Sequence, residues 1–147
     1  MKNTFLFLFF ILLNSCTWEK IEELGNNFAI VEADEVFVNY DWKGNEENYF
    51  SPYAINIICA HKVDYNNDEN WIIIRSYSYY YNSEIKQGEE YWIIDKNFVT
   101  TETEYRNEVE KRVIGPLDSI GFVRQTDLLN IKLKFKEAIE KGKNSVE

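Results

Sequence analysis

Three consecutive isoleucines, Ile72-Ile73-Ile74, follow Trp71 in a run that continues to Tyr80. Side chains alternate faces along a strand, so three adjacent β-branched residues place apolar groups on both sides of it. Such a strand must be covered on both faces, which marks it as the centre of a sheet. Shorter strand signals surround it. Phe28 to Val31 is a brief apolar run, and Val36, Val38, Tyr40 and Trp42 alternate with Phe37, Asn39 and Asp41 at period two. Ala54 to Val63 reads as a third strand behind Pro52, Trp71 to Tyr80 as a fourth, and Tyr91 to Asp95 as a fifth. The polar loop at 44–48 and the turn around Gly88 at 84–89 are too short for crossover helices, so the strands should pair antiparallel.

The last third carries helical spacing. Tyr105, Val109 and Val113 repeat every fourth residue, and Gly115-Pro116 is expected to end that helix. Asp118 can cap a short turn through Phe122. Thr126 to Lys141 gives the clearest helical stripe, with Leu128, Ile131, Phe135 and Ile139. The expected class is α+β: an antiparallel sheet of about five strands followed by C-terminal helices. A chain of 147 residues suits one domain, placed at 28–141, with a flexible tail at 142–147. With 45% apolar and 16% aromatic residues it has material for a core without disulfide staples.

Residues 1–15 have the form of a leader. Lys2 precedes nine unbroken apolar residues from Phe5 to Leu13, too few to span a bilayer, which takes roughly 20. Leu13-Asn14-Ser15-Cys16 then resembles the lipobox of bacterial lipoproteins, with an aliphatic residue at −3, a small one at −1 and the cysteine; Asn14 is a less usual choice at −2. That resemblance implies a diacylglyceryl thioether on Cys16, with acyl chains of the palmitate kind, and cleavage between Ser15 and Cys16. Two or three acyl chains make such an anchor effectively permanent. Residues 16–27 would be a lipidated tether, and Trp18, Ile21 and Leu24 fall at helical spacing within it.

Lipidation of Cys16 would leave Cys59 without a disulfide partner. Within Ala54 to Ala60 it is expected as a small buried hydrophobe; the sharper reading pairs it with His61, the only histidine. Asp64, Asn66, Asp68 and Asn70 begin like a calcium loop, but Glu69 replaces the turn glycine and Arg75 stands where a bidentate carboxylate belongs. A polar turn between strands explains them without a metal. Tyr77, Tyr79 and Tyr81 share one face of a strand while Tyr80 takes the other. The row serves either cross-strand packing or contact with a partner or ligand. The acidic pairs Glu46-Glu47 and Glu89-Glu90 are adjacent in sequence and would point to opposite strand faces. No zinc spacing, glycine-rich phosphate loop or nucleophile motif occurs. No catalytic residue, metal or cofactor is therefore expected.

The net charge of −9, or −10 once Lys2 leaves with the leader, opposes a phosphate backbone and argues against nucleic acid. It keeps a domain soluble, or offers an acidic face to a basic partner.

Blocks spread over residues 16–135 resemble a group of small uncharacterised bacterial lipoproteins. They are Glu23-Leu24-Gly25-Asn26-Asn27-Phe28, Val63-Asp64-Tyr65-Asn66 leading to Trp71-Ile72-Ile73-Ile74, Tyr91-Trp92-Ile93-Ile94-Asp95-Lys96, and Gly115-Pro116-Leu117. The chain departs from the group in a longer 97–113 segment and in continuing past the last helix. The resemblance implies an envelope address and carries no functional residue. The expectation is a lipid-anchored, non-enzymatic binding or inhibitory module of immunity-like kind. Its partners would be a membrane, through lipid on Cys16, and an envelope protein or a toxin. The alternatives are a structural or assembly lipoprotein of an envelope complex, and a glycan-contacting module using the tyrosine row.

Overall fold

A computed structural model describes residues 20–32, 35–43, 53–79 and 86–140. The leader, Ser15, Cys16, Glu46-Glu47, Tyr80, Tyr81 and the 142–147 tail lie outside the described residues. Element order is β1 (Lys20–Gly25), β2 (Phe28–Glu32), β3 (Val36–Asp41), β4 (Ala54–Ala60), β5 (Lys62–Asn67), β6 (Trp71–Tyr79), β7 (Lys86–Asp95), α1 (Tyr105–Arg112), β8 (Val113–Leu117), α2 (Ser119–Leu128) and β9 (Lys136–Glu140).

The isoleucine triplet is central. β6 lies between β5 and β7, and Ile72, Ile73 and Ile74 are all fully buried. Burial of each contributes roughly 1.5–3 kcal/mol. Ile72 and Ile74 point into a core shared with Phe28, Ile30, Val36, Val38 and Ile58, while Ile73 joins Ile93 and Ile131 on the opposite face.

The class is α+β with antiparallel pairing, but the strands form two sheets, not one of about five. Four are ordered β1-β2-β3-β4 and five are ordered β8-β7-β6-β5-β9. The sheets face each other across the main core, which α1 closes with Tyr105 and Val109. The far face of the five-stranded sheet is covered by Phe122 of α2 and by Leu129, Ile131, Leu133 and Phe135.

Further expectations are corrected. The helical spacing seen in 17–27 falls on β1. Residues three apart share a helix face but take opposite faces of a strand: Leu24 enters the main core, whereas Ile21 packs with Ala29 and Val31 outside. The Ala54–Val63 strand is two strands, because the chain leaves one sheet at Ala60 and enters the other at Lys62, with only His61 between. Gly115-Pro116, expected to end a helix, lies inside β8, and the 84–89 turn is partly absorbed by β7, where Gly88 pairs with Ser78. The Thr126–Lys141 helix does not form. Helix α2 ends at Leu128, Asn130 takes a left-handed φ of 53°, and β9 pairs with β5. Asp118 does cap a helix, accepting from the Gly121 amide at 2.6 Å, but that helix runs to Leu128. Among the described residues, no helix is long and apolar enough to cross a membrane.

Candidate functional site

The β1–β2 hairpin turns on Asn26 and Asn27, both left-handed at φ 51° and 67°, as a two-residue type I′ turn requires. Asparagine tolerates that conformation, and both amides are put to use. Asn27 Nδ2 donates to the Trp42 carbonyl at 3.1 Å, and the Asp41 amide donates to the Asn27 carbonyl at 2.9 Å. Asn26 Nδ2 donates to the Lys96 carbonyl at 3.0 Å, tying the turn to the chain leaving β7. The Lys96 amide in turn donates to the Asn70 carbonyl at 2.8 Å.

These three segments frame an open cleft of about 380 Å³, lined by Asn26, Asn27, Tyr40, Trp42, Lys96, Phe98, Val99 and Thr100. Its wall is aromatic. The Tyr40 ring lies 4.9 Å from Phe28, 5.6 Å from Phe98 and 6.4 Å from Tyr105, and Trp42 stands 6.2 Å from Tyr105. Lys96 is 4% exposed, and its ammonium donates to the Leu24 carbonyl at 2.8 Å and to Asn67 Oδ1 at 3.4 Å. Burial lowers its pKa, against the pull of Asp68 and Glu69. Burial raises the Tyr40 pKa, with an Asn27 hydrogen bond opposing, so the hydroxyl stays neutral at physiological pH. Val99 stands at the rim, 97% exposed. The lining residues include no carboxylate, histidine or cysteine. A pre-set aromatic wall, braced by amides and one buried cation that are bonded to the protein's own groups, suits binding of an apolar group.

The sequence-marked residues lie elsewhere. Tyr77 is in β6, half-buried, with its hydroxyl donating to Asp64. Arg75 Nε donates to the same Asp64 oxygen at 2.8 Å. The Tyr77 ring is flanked by Lys86 at 4.7 Å, Arg75 at 5.3 Å and Lys62 at 5.7 Å. Burial, and then Asp64, push the Tyr77 hydroxyl pKa up. Tyr79 pairs with Lys86 at the end of β6. The calcium-like residues are spent locally: Asp64 on Arg75 and Tyr77, Asn66 Nδ2 on the Lys134 carbonyl at 2.8 Å, and Asp68 Oδ1 on the Asn70 and Trp71 amides at 2.8 Å. Among the described residues, no group of three His, Cys, Asp or Glu side chains is arranged to hold a metal.

Cys59, expected buried, is exposed. It lies on the outer side of β4 and donates to Glu35 Oε2 at 2.6 Å, while the His61 amide donates to the Tyr77 carbonyl at 3.2 Å. Desolvation and the Glu35 carboxylate push the thiol up to about 11, away from nucleophilic use. Glu89 accepts from Lys86 and from the Tyr91 hydroxyl, so it is bound into the strand surface rather than paired with Glu90.

Sequence reasoning passed over Trp42, Lys96 and Phe98 as a set, because they come from segments more than fifty residues apart. The available signal was Gly25-Asn26-Asn27, whose turn chemistry fixes where the hairpin tip falls. No protein-family model matches the chain, and neither a curated protein nor a solved structure matches it.

Proposed function

We propose that the chain is a lipid-anchored, non-enzymatic binding module of the bacterial cell envelope, inhibitory in the manner of an immunity protein, and that it engages its protein partner at the cleft. The observation that carries this reading is the open aromatic cleft with Val99 standing 97% exposed on its rim. Aromatic anchors held rigidly in a pocket are what strong protein contacts are built from. The hydrogen bonds of Asn26, Asn27 and Lys96 hold the wall before any partner arrives. Anchoring rests on the lipobox-like Leu13-Asn14-Ser15-Cys16.

Two measurements test it. Replacement Cys16→Ser should move the protein from the membrane to the soluble fraction, and retention on the membrane would overturn the anchor. A photo-crosslinker at Val99 in intact cells should capture one protein partner, and Phe98→Ala with Trp42→Ala should abolish capture. Equal capture from Glu110 on α1 would remove the cleft from the function. A captured component of a standing envelope complex would favour an assembly role over inhibition.

A further inference from the structure

The two ends of the sandwich differ in what they carry and in how many residues separate them from Cys16 along the chain. Lys20 pairs with Glu32, Glu32 with Val36, and Val36 with Ala60, so these residues mark one end of the four-stranded sheet. From Ala60 the single residue His61 leads into the second sheet, where Lys62 pairs with Tyr77 and Tyr77 with Glu89. The His61 amide bonds to the Tyr77 carbonyl at 3.2 Å, which extends the β5–β6 pairing up to the point where the chain crosses between the sheets. Contacts between the sheets agree with that alignment. Glu22 of β1 hydrogen-bonds Tyr65 of β5, and the Leu24 carbonyl accepts from Lys96 at 2.8 Å. The cleft, with Asn26, Asn27, Trp42 and Lys96, is therefore at the other end.

Reach decides which end faces a membrane. The four residue steps from Cys16 to Lys20 span at most about 14 Å when fully extended. The five steps of β1, from Lys20 to Gly25, already span about 17 Å. A connector shorter than β1 cannot run back along the domain and bring the cleft end to the bilayer that holds Cys16. The near end suits a lipid–water boundary. The Lys86 side chain is 44% exposed, and its ammonium lies 4.7 Å from the Tyr77 ring, with Lys62 at 5.7 Å. Tyrosine rings and lysine stems collect at bilayer interfaces, where one part is apolar and the tip is wet. Glu32, Glu35 and Glu89 stand at the same end. Its charge is mixed, so the contact does not depend on anionic lipid alone.

We propose that the Lys20 end of the sandwich, carrying Lys62, Tyr77 and Lys86, rests against the lipid head groups of the membrane that holds Cys16, and that the cleft is thereby turned away from that membrane. This rests on the anchored reading above and adds an orientation to it. Tyr77, marked in the sequence for packing or for partner contact, then stands at a lipid-facing end.

The test uses the full-length protein, lipidated in a bacterial host and reconstituted into phosphatidylethanolamine–phosphatidylglycerol vesicles containing a head-group nitroxide quencher. A fluorophore is placed at Lys86→Cys or at Val99→Cys in a Cys59→Ser background. The label at 86 should be quenched at least threefold more than the label at 99. Lys62→Cys and Thr100→Cys provide a second pair should one variant fold poorly. Equal quenching at the two ends, or stronger quenching at 99, overturns the orientation and leaves the anchor standing. Protein that does not float with the vesicles overturns the anchored reading and the orientation together.

Discussion

Gly115 lies where β8 crosses the irregular register against β7, and it should be the least replaceable glycine among the described residues. Its φ is +149°, a conformation that side chains bearing a Cβ rarely adopt. A methyl carbon built there would lie 2.6 Å and 2.9 Å from atoms of the Trp92 ring and 2.8 Å from the Tyr91 carbonyl oxygen. Neither neighbour can yield. The carbonyl is backbone, and the indole packs on the main core with its N–H donating to Ser76 Oγ at 3.1 Å. The backbone conformation costs an alanine about 1–3 kcal/mol. Overlap in a packed site adds about 1–3 kcal/mol. Gly115→Ala should therefore lose about 3–4 kcal/mol of a total stability of about 5–15 kcal/mol. The melting temperature should fall by about 12 °C. Gly88→Ala is the control, since its nearest neighbour is the Ser78 hydroxyl at 3.3 Å and its φ is ordinary. It should stay within about 1 kcal/mol of the parent. Urea unfolding and thermal circular dichroism read both variants. The reasoning is refuted if Gly115→Ala stays within about 1 kcal/mol of the parent, or if Gly88→Ala proves as costly.

The Cys59 thiol, exposed but pushed up to about 11, should react slowly with iodoacetamide at pH 8. Its thiolate fraction is roughly a hundredfold below that of an unperturbed cysteine, and Glu35→Gln should speed the reaction; an unchanged rate would contradict the Glu35 contact. Stability should fall as pH rises from 9 towards 12. Burial raises the pKa of Cys59, Tyr40, Tyr65 and Tyr77, so the folded state keeps protons that the unfolded chain releases from its ordinary values of 9.0 and 10.0. Lys96, with its pKa lowered, works the other way, but one group opposes four; a melting temperature that held or rose between pH 9 and 11 would reverse this account. Asp64→Ala leaves the Arg75 guanidinium, whose side chain is 31% exposed, without its carboxylate, and should cost about 2 kcal/mol in urea unfolding. Arg75→Met in the same chain should recover part of that loss, and strict additivity of the two changes would deny the coupling.

Single-strand patterns were legible in the sequence where one face or both are fully apolar, as at Ile72-Ile73-Ile74 and at Val36 to Asp41. Patterns that satisfy two periods at once were not. Leu128, Ile131, Phe135 and Ile139 suit a helix, yet Ile131, Leu133 and Phe135 alternate with Lys132, Lys134 and Lys136, and the packed chain follows that alternation from Ile131 on. Ile21 and Leu24 misled for the same reason, because a spacing of three says nothing about a strand that buries both faces. The split at His61 left no local trace: the apolar run is continuous, and only the pairing partners change from β3 to β6. The cleft was out of reach because Trp42, Lys96 and Asn27 meet only when both sheets are assembled. Individual tyrosines could be picked out from sequence, but the cations around the Tyr77 ring come from three strands.

β1 is an edge strand, paired only with β2, and five backbone pairs from Lys20↔Glu32 to Gly25↔Phe28 hold it. Were the chain fixed at Cys16 as proposed, a pull on anything seated in the cleft would be transmitted down that strand, parallel to its axis. The ladder bonds lie across the strand, so the load meets them broadside and they share it. Had the fixed point been at the Gly25 end, the same pull would have peeled the pairs apart one at a time. Under the anchoring proposed above, the edge strand would act as a shear-loaded strap, placing mechanical resistance between a partner seated in the cleft and the membrane where the sheet would otherwise be weakest.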